Sequence, residues 1–128
     1  RQLKAFIVNL VISEGFDLKH INYIFCTDSY LLDYNIKYLH HSTLTDIITF
    51  QLNTVQEPII ADIFISVDRV KENALLFDSS FINEFHRVIF HGALHLCGYK
   101  DKTKMDILEM RNKEAFYLNS YFVPRETF

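Results

Sequence analysis

Residues 59–101 read IIADIFISVDRVKENALLFDSSFINEFHRVIFHGALHLCGYKD, and the change of period within them decides the fold. Ile59 to Ser66 is a β-branched run of strand length that follows a loop carrying Glu57-Pro58. Ser66 is placed to cap a helix reaching about Phe77, and Asp78-Ser79-Ser80 breaks it. A longer apolar helix is expected from about Phe81 to Cys97, closed by Gly98.

Working upstream, Ile47 to Leu52 is a second β-branched run, expected to lie beside Ile59–Ser66. Ile21 to Cys26 is a short apolar and aromatic run ending at Thr27-Asp28-Ser29, which favours a strand followed by a helix over about 29–39. Leu3, Phe6, Ile7, Leu10 and Val11 make one helical stripe over residues 1–14, with Gly15 where a C-cap belongs. Downstream, Thr103 and Asp106 have capping-box spacing and open a last helix to about Asn119, with Pro124 in an irregular tail. The order predicts an α+β fold. A small mixed sheet of about three to four strands packs against several helices, in a single domain over residues 1–128.

Bulk properties narrow the function classes. The 128 residues are 49% apolar, enough for a core without disulfides. Net charge is −3, so no global charge advertises a polyanionic partner, and any nucleic-acid site has to be local. Cys26 and Cys97 sit in apolar surroundings and read as buried thiols in a reducing, cytoplasmic setting. No apolar run approaches the roughly 20 residues of a membrane span and no signal segment opens the chain, so no membrane partner is expected. The chain opens at Arg1 and not at Met, so any upstream element is left unjudged.

The chemistry is concentrated in His91-Gly92-Ala93-Leu94-His95-Leu96-Cys97-Gly98-Tyr99-Lys100-Asp101. Histidines four apart on a helix project from one face, so His91 and His95 can converge on one ion. Gly98 can take the left-handed conformation that reverses the chain and returns Asp101 toward them. Three ligands of nitrogen and oxygen type leave a fourth tetrahedral position open, as at a catalytic zinc, where the pKa of bound water falls to about 7. Beyond that water no catalytic residue is assigned. A bare His pair is commonly a surface or core feature; the added glycine and carboxylate specify both geometry and ligand type.

The spacing His-x-x-x-His-x-x-Gly-x-x-ligand also occurs in metzincin peptidases, but those need Glu directly after the first His. Gly92 stands there and can neither polarise water nor shuttle a proton, which makes a metallopeptidase the weaker alternative. His86, five residues before His91, lies about 140° away around the helix and is expected to pack or face solvent, not to ligate. Asp62 on the Ala-Asp-Ile-Phe-Ile strand is a candidate acceptor behind a ligand histidine, while Asp46 suits a strand-end hydrogen bond. Lys100, Lys102 and Lys104 flank Asp101 as a local basic rim for phosphate, or equally a solvated loop. The aromatics fall mostly at apolar-periodic positions and are expected in the core.

Taken with its flanks, the segment 91–101 resembles the YbeY family signature, a His-Gly-x-Leu-His-Leu-x-Gly-Tyr run ending in a third ligand. Thr45-Asp46-Ile47-Ile48-Thr49-Phe50 and Ala61-Asp62-Ile63-Phe64-Ile65-Ser66 resemble two of its strands, and the resemblance runs from about Tyr23 to Asp106. It implies a zinc-dependent, single-strand-specific endoribonuclease with one zinc per chain, acting on RNA in 16S rRNA maturation and ribosome quality control. Its implied partners are single-stranded RNA and the ribosome or proteins on it, with no DNA expected. The chain departs from that pattern at two positions. Asp101 stands where many members have His, which adds a negative charge and implies a less electrophilic metal. Leu39 stands where the family usually has an Arg suited to phosphate, with His40, His41 or a lysine as conceivable substitutes. The Leu39 departure motivates the alternative of a non-enzymatic ribosome-assembly factor with a stabilising metal.

Overall fold

The computed structural model describes residues 2–39 and 45–122, so His40, His41 and Pro124 lie outside the described residues. The elements are α1 (Gln2–Ser13), β1 (Leu18–Cys26), α2 (Asp28–Leu39), β2 (Ile47–Gln51), β3 (Ile59–Ser66), α3 (Val67–Leu76), α4 (Phe81–Leu96) and α5 (Lys104–Phe122). The expected order of helices and strands is the observed one, and the sheet has three strands.

β3 is central, parallel to β1 and antiparallel to β2. A strand covered on both faces needs apolar residues at successive positions, and Phe64, Ile65 and their neighbours supply them. Ala61, Ile63 and Ile65 join the large core with Ile89, Phe90, Ala93 and Leu94 of α4. Phe64 turns the other way and meets Leu31 of α2 and Ile48 of β2. Ile63 and Ile65 are fully buried, each contributing about 1.5–3 kcal/mol of transfer free energy.

Caps fix where the helices begin. Ser66 Oγ accepts from Arg69 N at 3.1 Å and donates to Asp28 Oδ1 at 2.7 Å, joining the start of α3 to the start of α2. Ser80 Oγ accepts from Asn83 N at 3.0 Å and starts α4. The capping box at α5 is reciprocal: Thr103 N donates to Asp106 Oδ2 and Asp106 N to Thr103 Oγ1.

Some expectations require adjustment. β1 begins at Leu18, ahead of the apolar run, because it is an edge strand whose exposed positions tolerate Lys19 and His20. α5 runs on to Phe122, since Tyr121 packs against Phe6 and Phe90. The aromatics divide: Phe64, Phe90 and Tyr117 are buried, whereas Phe16, Phe25, Tyr38 and Phe77 are exposed. Apolar periodicity marks the face of a helix but not how much of a large ring the neighbouring elements cover. Cys97 is buried and Cys26 half-buried, and both are free thiols. Burial pushes the Cys97 thiol up to about 12, a change to which the nearby Glu14 charge adds.

Candidate functional site

α4 carries His91 and His95 on one face, their ring centroids 4.4 Å apart. The helix ends in a Schellman turn: Gly98 N donates to His95 O at 3.0 Å, and Tyr99 N to Leu94 O at 3.1 Å, with Gly98 at φ +97°. That left-handed residue turns the chain back, and Asp101 arrives with Oδ2 3.6 Å from His91 Nε2 and 3.3 Å from His95 Nε2. One ligand atom from each of the three residues lies within 4.8 Å of the others.

The far nitrogen of each imidazole is already engaged. His91 Nδ1 meets Glu114 Oε2 at 2.5 Å, and His95 Nδ1 meets the carbonyl of Tyr99 at 2.9 Å. In the neutral tautomers that suit these acceptors, both Nε2 atoms are themselves acceptors and face a third acceptor on Asp101. A shared cation removes that repulsion. Tetrahedral ligands about 2.1 Å from an ion stand about 3.4 Å from one another, which the two Asp101 distances bracket. The donor set therefore fits a divalent metal such as zinc. Asp101 is 48% exposed, so the cluster opens to solvent on that side.

Glu114, on α5, was not among the residues singled out from sequence. It is buried at 2% exposure, and Arg87 Nη1 and Arg111 Nη1 each reach its Oε1 at 3.0 Å. Burial alone would raise its pKa, but the His91 hydrogen bond and the Arg87 charge outweigh this and hold the carboxyl below the usual range. Arg87 also pairs with Glu84 at 2.8 Å and approaches Asp46 at 3.8 Å. Glu84 and Arg87 lie on the same α4 stripe as His91, seven and four residues before it, so polar residues on an otherwise buried face were the available signal. We expect Glu114→Gln to weaken divalent-metal affinity about 10–100-fold while the chain stays folded. Competition with a chromophoric chelator measures this, and unchanged affinity would show that Glu114 does not orient His91.

Asp62 does not occupy the position expected of it. Strand alternation sends it to the sheet face opposite Ala61 and Ile63, away from α4, and there it accepts from Asn22 Nδ2 at 3.1 Å. Asp46 approaches Arg87 and accepts from Asn73 Nδ2, while its carbonyl accepts from Ser66 N. Lys100 lines a separate cleft with Asp106 and Glu109, where acidic neighbours surround it, and Lys102 is exposed. His86 packs among Phe85, Phe90, Tyr121 and Phe122 and contributes nothing to the metal cluster.

Position 92 explains the missing peptidase base in packing terms. A Cβ there would lie 2.8 Å from Ile47 Cδ1 and 3.2 Å from Ile63 Cδ1, so the residue faces the sheet and a side chain there would have to push the ends of both isoleucines aside. Behind the turn, Glu14, just past the end of α1, ties down Tyr99: the Tyr99 hydroxyl donates to Glu14 Oε1 at 2.8 Å, and Tyr117 and Lys113 Nζ donate to Oε2. Burial opposes ionisation of Glu14, but these donors outweigh it and lower its pKa. A carboxyl with a lowered folded pKa stabilises the fold above the ordinary glutamate range and loses that contribution as pH falls through the folded value. In urea unfolding, the stability advantage of wild type over Glu14→Gln should accordingly be full at neutral pH and shrink in acid. An advantage that grew on acidification would contradict the assignment.

A mixed three-stranded sheet, with a helix presenting two imidazoles and a glycine turn returning a carboxylate, defines an α+β protein with an open three-residue ligand cluster. The family model described as Endoribonuclease YbeY matches residues 2–122. The chain is 49% identical over 115 residues to an "Endoribonuclease YbeY" of Flavobacterium psychrophilum, covering 90% of this chain and 81% of that one. It is 52% identical over 105 residues to the same-named protein of Flavobacterium johnsoniae, covering 82% and 75%. The solution structure of TM1509 from Thermotoga maritima superposes with a TM-score of 0.67 at 28% identity, covering 94% of this chain and 79% of that one. The chain belongs to the YbeY family.

Proposed function

We propose that this protein is a zinc-dependent, single-strand-specific endoribonuclease that acts in the cytoplasm in 16S rRNA maturation and ribosome quality control. The observation that carries the metal reading is the convergence of His91, His95 and Asp101. The nuclease reading is supported by membership of a family whose relatives bear the name endoribonuclease.

In this reading His91 and His95 hold the zinc through Nε2 and Asp101 holds it through its carboxylate, one ion per chain. When bound, the ion supplies Lewis acidity toward a phosphoryl oxygen and acidifies coordinated water. Glu114 keeps the proton of His91 on Nδ1, and the Tyr99 carbonyl does the same for His95, so both Nε2 lone pairs stay aimed at one point. Asp101 contributes a negative charge that tempers the ion's pull on electrons. Its exposure leaves an approach for a flexible single strand, and Lys102 lies close by in the chain. Gly92, packed on Ile47 and Ile63, faces the sheet and supplies no carboxylate of the kind that peptide hydrolysis would need.

The test is cleavage of a single-stranded RNA by the purified, zinc-loaded protein, with His95→Ala as control. Cleavage by wild type that chelation abolishes, and that a folded His95→Ala lacks, is the expected result. Absence of cleavage with metal fully bound would favour the assembly-factor reading, to which the apolar Leu39 at the end of α2 lends support.

A further inference from the structure

A cleft of about 210 Å³ adjoins the ligand cluster and is lined by His91, Asp101, Ile107, Met110, Arg111 and Glu114. Two of its six lining residues are carboxylates and two are apolar, so an anionic strand entering it meets repulsion unless a cation answers. The guanidinium of Arg111 is the permanent cation in that lining. It is anchored by Nη1 on Glu114 Oε1, yet its side chain remains 52% exposed.

We propose that Arg111 is a substrate-binding residue of this site, its guanidinium holding a non-bridging oxygen of an RNA phosphodiester in the cleft beside His91 and Asp101. The proposal rests on the nuclease reading above. Glu114 does not need Arg111 for neutralisation, because the half-buried Arg87 reaches the same oxygen at 3.0 Å and His91 occupies the other. A guanidinium carries five N–H donors, of which the Glu114 contact engages one nitrogen. The planar fork then presents its remaining donors to a phosphate, a geometry that a point-charge lysine does not reproduce. Glu114 thereby sets two groups from one carboxylate: His91 through Oε2 and Arg111 through Oε1. The register between metal and phosphate is built into a single buried side chain. Lys100, the obvious cation by sequence, lines a different cleft with Asp106 and Glu109.

The experiment compares zinc-loaded wild type, Arg111→Gln and Arg111→Lys, measuring metal content per chain and kcat/KM for a single-stranded RNA oligonucleotide between about 50 and 200 mM salt. For Arg111→Gln we expect metal content equal to wild type, kcat/KM lower by about tenfold, and a log–log salt dependence shallower by about 0.7, one phosphate contact on a single strand. Arg111→Lys restores the salt dependence and part of the rate, since charge returns without the fork. Wild-type kcat/KM and salt dependence in Arg111→Gln would overturn the proposal. So would loss of zinc in that variant, which would make Arg111 a support for Glu114 instead. A zinc-loaded wild type that leaves the RNA intact sinks the nuclease reading itself, whereas an active wild type indifferent to Arg111 sinks this assignment alone.

Discussion

The double variant His91→Ala/His95→Ala is expected to bind no stoichiometric metal, where wild type binds about one ion per chain. Removing both imidazoles leaves Asp101 as the single member of the cluster, and an exposed carboxylate alone does not hold zinc against a chelator. The loss should exceed that of any single replacement of a supporting residue, which acts through a ligand that remains. The fold should survive, because the core of α4 is made by Val88, Ile89, Phe90, Ala93 and Leu94, on faces the histidines do not occupy. Elemental analysis combined with circular dichroism checks both halves. Full occupancy in a folded double variant would remove the ion from this site.

The second large effect concerns Gly92. Gly92→Glu, the change that would write a peptidase-like His-Glu-x-x-His onto α4, is expected to unfold the protein and confer no peptidase activity. Its Cβ alone would lie 2.8 Å from Ile47 Cδ1, a contact that forces side chains to move and costs about 1–3 kcal/mol. The carboxylate would then be buried against Ile63 and Ile47 without a partner, adding several kcal/mol more. Set against a total stability of about 5–15 kcal/mol, the sum removes most or all of it. Urea unfolding or the fraction of soluble protein reads this directly. A stable Gly92→Glu variant that cleaves casein in a metal-dependent way would show that position 92 faces the metal and not the sheet.

Local signals fixed much of this architecture, and their reach explains what they missed. Ser66, the Asp78-Ser79-Ser80 break, Gly98 and the Thr103/Asp106 box act within one helical turn, so the ends of α3 and α4 and the start of α5 were readable to within a residue or so. The same turn-scale logic placed His91, His95 and Asp101 together, because the single stretch of helix and turn from 91 to 101 contains all three. Glu114 escaped because it comes from another helix, 23 residues beyond His91, and only the packing of α5 on α4 brings it in. Its trace in the sequence is a carboxylate on the α5 stripe between Met110 and Tyr117, both of which are buried. Asp62 was misplaced for a related reason. Alternation says that it points opposite to its neighbours, but which face receives α4 is a property of the assembled sheet.

The position of the bound metal is the most direct test of the proposed site. Crystals grown with zinc and measured at its absorption edge should give one strong anomalous peak per chain, about 2.0–2.2 Å from His91 Nε2, His95 Nε2 and an Asp101 carboxylate oxygen. A peak bound elsewhere, with these three side chains unligated, would contradict it.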